Sequence, residues 1–147
     1  MDAFAPALTW HAHAVTVLLV HLVWSTRRRA PWLEPRWDGW LADMLERKAR
    51  RIHCAVLAVG NAADHVHVLV RHPPSVPVSQ VTQRLKGASS RALHREMPSS
   101  DGLVWQVGYW AESVAPRDID PLLAYVRNQR AHHREHAAPE PWETPLG

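Results

Sequence analysis

Asp64-His65-Val66-His67-Val68-Leu69-Val70 is the stretch on which the reading of this chain turns. In a strand, successive side chains point to opposite faces, so His65 and His67 share one face while Val66, Val68 and Val70 share the other. Two imidazoles about 7 Å apart along one face can reach a single ion, and a buried valine ladder behind them would hold the pair still. Histidines so placed are more often satisfied or solvated than metal-bound. The metal reading therefore needs a third ligand and a reactive group from elsewhere in the chain.

Outward from this strand, the pattern gives a complete domain. Residues 15–24 are β-branched and continuous, interrupted only by His21, which suits a strand in the middle of a sheet. Residues 25–35 form a basic loop closed by Pro31 and Pro35. From 36 to 51, Trp37, Trp40, Leu41, Met44, Leu45 and Ala49 recur at helical spacing. Residues 53–59 read as a strand ended by the turn signal Gly60-Asn61, and 64–71 as the next, ended by His72-Pro73-Pro74. Ser75 or Ser79 is expected to cap a second helix carrying Val81, Leu85, Ala88 and Leu93. A loop over 97–102 leads to a fourth strand over 103–114, with Trp105, Val107 and Tyr109 on one face. Asp118 or Asp120 caps a last helix, with Pro121 in its first turn, that runs to about residue 136.

The order β-α-β-β-α-β plus a helix predicts an α+β, ferredoxin-like sandwich with a central antiparallel sheet, its first and third strands in the middle. Residues 1–14 are read as an irregular N-terminal segment, 15–136 as one folded domain and 137–147, with Pro139, Pro141 and Pro145, as a flexible tail. His11-Ala12-His13 is a second His-x-His, but with no apolar alternation around it and is read as a surface feature.

At 147 residues with 46% hydrophobic content, the chain suits one globular domain and neither disorder nor a collagen-like fibre. Its single cysteine, Cys54, excludes an internal disulfide framework and suits a reducing compartment. The longest apolar run falls short of the ~20 residues of a membrane helix, and no signal peptide is read at the N-terminus. The expected location is cytoplasmic, with no membrane partner. The formal charge of +3, with clusters at Arg27-Arg28-Arg29 and at Arg47, Lys48, Arg50 and Arg51, is compatible with a polyanionic partner or with solvated helix faces.

The last helix bears on the histidine pair. Tyr125 and Gln129 are four residues apart and lie one turn apart on the same face. A carboxamide oxygen can serve as a third ligand, and a phenol beside a metal as a nucleophile. By spacing alone, a core-anchoring tyrosine with a solvated glutamine remains open.

Several segments then become more specific than any one spacing. Residues 64–70 resemble the histidine-hydrophobe-histidine motif of the HUH nucleases. Together with Val20-His-Leu-Val-Trp-Ser-Thr26, Leu85-Lys-Gly-Ala-Ser-Ser-Arg91, Trp105-Gln-Val-Gly-Tyr109, Ser113-Val114 and Tyr125-Val-Arg-Asn-Gln129, they resemble single-tyrosine transposases of the insertion-sequence-200 type and their relatives associated with repetitive extragenic palindromes (REP). The pieces fall in family order over residues 15–135. The resemblance implies that His65, His67 and Gln129 are metal ligands, that Tyr125 is the nucleophile, and that the metal is Mg²⁺ or Mn²⁺. It also implies hairpin-marked single-stranded DNA as substrate, a covalent 5′-phosphotyrosine with a free 3′-OH, and a homodimer in which the tyrosine helix completes the partner's site in some members. Trp110-Ala111-Glu112 departs from the small or aromatic stretch that often follows Gly-Tyr in that family, which bears on DNA contact rather than on the metal site.

Tyr109 competes for the nucleophile role, but the residue four positions on is Ser113, a poor ligand; Tyr109 reads as core or as a base-stacking platform. Arg27, Arg28, Arg29, Lys86, Ser89, Ser90 and Arg91 are candidate DNA contacts, with solvated surface as the plain alternative. Trp24 and Trp110 are the expected exposed stackers, and His132, His133 and His136 read as an ordinary cationic helix end. Two other functions fit the same plan: a non-catalytic single-stranded nucleic-acid-binding module, and a metal-dependent hydrolase that uses an activated water.

Overall fold

Val66, Val68 and Val70 are all fully buried, and the alternation they set up divides the molecule into two layers. The computed structural model describes residues 9–11 and 13–135, with side chains from 13 to 132. The folded elements are β1 (Thr9–His11), β2 (Ala14–Thr16), β3 (Leu19–Ser25), α1 (Asp38–Arg50), β4 (Ala55–Asn61), β5 (His65–Arg71), α2 (Val78–Glu96), β6 (Trp110–Val114), α3 (Ile119–Arg127) and α4 (Gln129–Glu135). The main sheet has the order β4-β5-β3-β6, antiparallel throughout. Its central strands β3 and β5 are the first and third of the four, as the ferredoxin-like plan requires.

On one face, Val66, Val68 and Val70 join Val20, Leu22 and Trp24 of β3 in the main core. The apolar stripes of α1 (Leu41, Met44, Leu45, Ala49) and α2 (Val81, Leu85, Ala92, Leu93) close over them. Each stripe steps at three or four residues, which keeps it on one side of its helix. On the other face α3 lies on the sheet, with Val126 packed against Ala58 and Leu69 and Ile119 against Leu19. Among the described residues no helix is long and apolar enough to cross a membrane.

The local departures from expectation have identifiable causes. The apolar run 15–24 is not one strand: Ala14–Thr16 pairs with Thr9–His11 in a separate hairpin that begins in the stretch expected to be irregular. The chain leaves strand conformation at 17–18, where the Leu18 carbonyl takes the amide of His72. Gly60 and Asn61 are not the turn but the end of β4; the turn follows, closed by Ala62 N–H on the His65 carbonyl at 3.1 Å. Neither Ser75 nor Ser79 caps α2. Its boundary is Pro77, whose carbonyl accepts the amides of Gln80 and Val81.

Strand 103–114 shortens to β6. Gly108 turns the chain at φ 94°, and residues 103–109 attach to the sheet only through a bridge between Thr26 and Trp105. The last helix is broken at Asn128, because the Tyr125 carbonyl accepts Asn128 N–H and the Gln129 side-chain amide. Trp24 is not an exposed stacker: it is 2% exposed and packs edge-on against Trp105 in the core. The tail 137–147 and most of 1–14 lie outside the described residues.

Candidate metal and nucleophile site

On the α3 face of the sheet, His67 of β5 has Val23 of β3 and Gly60 of β4 as its direct cross-strand partners. His65 and His67 are both fully buried, with ring centroids 5.1 Å apart. The last two helices bring Tyr125 and Gln129 to them. Gln129 is 1% exposed, and its Oε1 lies 3.3 Å from His65 Nε2. The Tyr125 ring stands edge-on to His67 at 5.5 Å. Residues some sixty positions apart in sequence thus meet within one subunit.

Two hydrogen-bond chains orient the histidines. His65 Nδ1 is 2.7 Å from Asp64 Oδ1, and Arg29 Nε donates to Asp64 Oδ2 at 2.9 Å. Burial would raise the Asp64 carboxyl, but hydrogen bonds from His65 and Arg29 and the Arg29 charge bring it down to about 2. An ionised Asp64 only accepts, so His65 Nδ1 carries the proton. Gln129 Nε2 donates to the Tyr125 carbonyl at 2.8 Å, which turns Oε1 toward His65. His65 Nε2 and the Gln129 carboxamide oxygen thus face each other at 3.3 Å, and both are atom types that a divalent cation accepts as ligands. His67 Nδ1 is 2.8 Å from Nε2 of His21, whose ring stacks on it at 5.0 Å. Burial holds His21 neutral by pulling its pKa down to about 4.

Two imidazoles and a carboxamide oxygen fit a divalent cation, and donor type alone would equally suit Zn²⁺ or Ni²⁺. Among the described residues no three His, Cys, Asp or Glu side chains converge on a metal position; the third oxygen or nitrogen donor beside the two histidines here is the Gln129 carboxamide oxygen.

Residues 14–129 match the family described as "Transposase IS200 like", a span that contains the strand histidines and Tyr125 and ends on Gln129. The chain belongs to the IS200-like transposase family. It is 28% identical to the ISDra2 transposase TnpA of Deinococcus radiodurans over 111 residues, covering 76% of this chain and 75% of that one. The crystal structure of a Deinococcus radiodurans protein described as a transposase superposes with a TM-score of 0.69 at 25% identity, covering 83% of this chain and 98% of that one. A REP-associated tyrosine transposase, solved bound to a REP hairpin, shares the fold with a TM-score of 0.59 at 15% identity, over 85% of this chain and 73% of that one.

In this transposase several residues near the site take positions beside it that motif reading does not assign. His21 was visible as the one polar break in an apolar strand. Asp64 was visible only as the residue preceding the pair. His132, read as part of a cationic helix end, places its ring 5.2 Å from that of Tyr125. The side chains of His133 and His136 lie outside the described residues.

The candidate DNA contacts of the transposase divide by exposure. Arg27, Arg28 and Arg91 are exposed and Ser90 is half-buried. Arg28 and Arg29 take left-handed φ values of 58° and 57°, a conformation uncommon outside glycine, and Arg29 uses it to reach Asp64. Ser89 is fully buried; its hydroxyl donates to the Lys86 carbonyl and accepts from Trp105 Nε1. Lys86 Nζ donates to the carbonyls of Gln106 and Gly108, both at 2.8 Å, and burial pulls its pKa down. The loop that Lys86 pins displays Val107, 92% exposed, and Tyr109, 37% exposed. Across α1 and α2, the Arg51 charge, then burial, then the charges of Arg95, Arg47 and Arg91 pull the pKa of the half-buried Lys48 down, so the two helices share a basic surface.

Proposed function

We propose that this DNA transposase cuts and rejoins single-stranded DNA at hairpin-marked ends through Tyr125, with His65, His67 and Gln129 holding Mg²⁺ or Mn²⁺. The observation that carries the proposal is the convergence on one sheet face of the Tyr125 ring, His67 and the His65–Gln129 pair. The choice of Mg²⁺ or Mn²⁺ rests on the family, as do the homodimer and the hairpin, the latter supported by the hairpin-bound REP relative.

In the cutting step, the Tyr125 phenol oxygen attacks the scissile phosphorus, an O–P bond forms, and the P–O3′ bond breaks. The phenol proton leaves and the departing 3′ oxygen is protonated. One phosphodiester replaces another, so attack by a 3′-OH on the phosphotyrosine rejoins DNA without a nucleotide triphosphate. A phenol with a pKa near ~10 is a weak nucleophile at neutral pH unless its developing anion is stabilised. A bound divalent cation supplies that stabilisation and polarises the phosphate. The chain itself fixes the Tyr125 ring between His67 and His132 and orients both imidazoles from behind. The exposed Arg27, Arg28 and Arg91 and the half-buried Ser90, with Tyr109 at the loop tip, offer phosphate contacts and a stacking surface for the strand.

The test is incubation with Mn²⁺ and labelled single-stranded hairpin DNA, followed by denaturing electrophoresis. The expected product is protein attached to the 5′ side of the cut, absent with Tyr125→Phe. Undiminished cleavage by that variant would establish the water-activating hydrolase instead, and tight binding without cleavage by the wild type the non-catalytic module.

A further inference from the structure

We propose that His21 is a positioning residue of the metal centre, accepting a hydrogen bond from His67 Nδ1–H and so committing Nε2 of His67 to the metal. The inference rests on the metal site proposed above.

His21 and His67 sit on the same sheet face, diagonally across the β3–β5 ladder, since the direct partner of His67 is Val23 and that of His21 is Leu69. Diagonal neighbours on one face are within reach of long side chains, and here the rings stack, with 25° between their planes and 2.8 Å between nitrogens. A hydrogen bond between two imidazole nitrogens needs one N–H and one lone pair. A ligating histidine gives its lone pair to the metal, and its other nitrogen, which keeps the proton, donates to an orienting group. His67 Nδ1 is held against His21, so it is the donating nitrogen. It follows that His21 Nε2 accepts and that the proton of His21 resides on its own Nδ1.

The site thereby has two orienting groups of different kinds. His65 is backed by a carboxylate that Arg29 balances, and Asp64 reaches partial solvent at 24% side-chain exposure. His67 is backed by an imidazole that is 6% exposed. A carboxylate at that depth would need its own counter-charge, whereas an imidazole orients its neighbour without one. His21 also meets the Tyr125 ring edge-on, with centroids 6.2 Å apart, so a purely packing role is the competing account.

The two accounts part on the full-length protein without DNA. Mn²⁺ binding is measured by electron paramagnetic resonance for wild type, His67→Ala, His21→Phe and His21→Gln, with thermal melts alongside. Phenylalanine keeps the ring against Tyr125 and removes the acceptor; glutamine restores an acceptor oxygen near the Nε2 position. Wild type is expected to bind Mn²⁺ and His67→Ala to lose it. His21→Phe is expected to weaken binding about 10- to 100-fold, the usual effect of losing an outer-shell partner, without a lower melting temperature, and His21→Gln to recover most of the affinity. Wild-type affinity in His21→Phe, or equal losses in both His21 variants, would overturn the inference while leaving the metal site standing. Failure of the wild type to bind Mn²⁺ would overturn the metal site and this inference with it. Imidazole ¹⁵N shifts of the metal-free protein give an independent readout: protonated Nδ1 on both His67 and His21 is expected, and protonated Nε2 on His21 overturns the proposal.

Discussion

A Cβ atom on Gly60 would lie 1.5 Å from the carbonyl oxygen of Val126. Gly60 is the β4 partner of His67, and Val126 follows Tyr125. The missing side chain is what lets α3 descend far enough for Tyr125 to meet His67. Gly60→Ala must push α3 off the sheet, because backbone cannot yield as a flexible side chain does. Overpacking of this kind costs about 1–3 kcal/mol. The expected result is a lowered melting temperature and at least a tenfold drop in covalent DNA adduct, with the β3–β5 core intact by amide exchange. An unchanged adduct rate would show that the close approach of α3 is not required.

Lys86 offers a test of structure against contact. Two of its N–H groups are bound to the carbonyls of Gln106 and Gly108, so Lys86→Met should loosen residues 103–109 and raise their amide exchange. A lysine that neutralises a phosphate contributes nearly one unit to the slope of log affinity against log salt. For Lys86→Met that slope is expected to stay at its wild-type value even as affinity falls through the loosened loop. A slope reduced by about one unit would make Lys86 a direct phosphate contact.

The layering was legible in the sequence because a strand with valines on one face and histidines on the other states its own orientation. The strand order followed from the order of elements, and Tyr125 with Gln129 followed from helical spacing joined to a family resemblance. Gly60 was not legible: as a turn signal it reads like any glycine, and the space it leaves is defined by a helix more than sixty residues away. The orienting role of Asp64 depends on Arg29, which reaches it only from a left-handed backbone conformation. The break at Asn128 leaves the apolar period untouched, since it arises from a glutamine amide competing for the Tyr125 carbonyl. Trp24 looked available for stacking until Trp105 closed over it. In each case the missing information was a long-range partner or a local competition that periodicity does not record.

Cys54 provides a pH-dependent check remote from the site. Burial raises its thiol to about 11 from an ordinary value near 9, with the Arg71 charge opposing. A folded-state pKa above the unfolded one gives a contribution fully present below the unfolded value. It is lost as pH rises toward the folded value, because the unfolded chain releases its proton first. Stability should therefore decline between about pH 9 and 11, and Cys54→Ala should flatten that decline relative to wild type. At pH 8 the native thiol should react with a disulfide reagent far more slowly than in urea. Equal rates would mean that the thiol is not shielded.

Arg130 closes the other side of the helices that carry Tyr125 and Gln129. Its Nε and Nη2 donate to the two carboxylate oxygens of Asp38 at 2.8 and 2.9 Å, and Nη2 also reaches the Leu33 carbonyl at 2.9 Å. Asn61 Nδ2 donates to the same Asp38 carboxylate, so α4 is tied to the start of α1 and the end of β4. With side-chain exposures of 26% and 38%, solvent screening limits the pair to about 1 kcal/mol of coupling in a double-mutant cycle. The effect on DNA cleavage should exceed the effect on stability, since the tie lies one residue from Gln129. Arg130→Lys, which lacks the planar fork, should fall between wild type and Arg130→Ala in adduct formation. If Arg130→Ala loses stability yet keeps the full adduct rate, the clasp holds the fold but not the site.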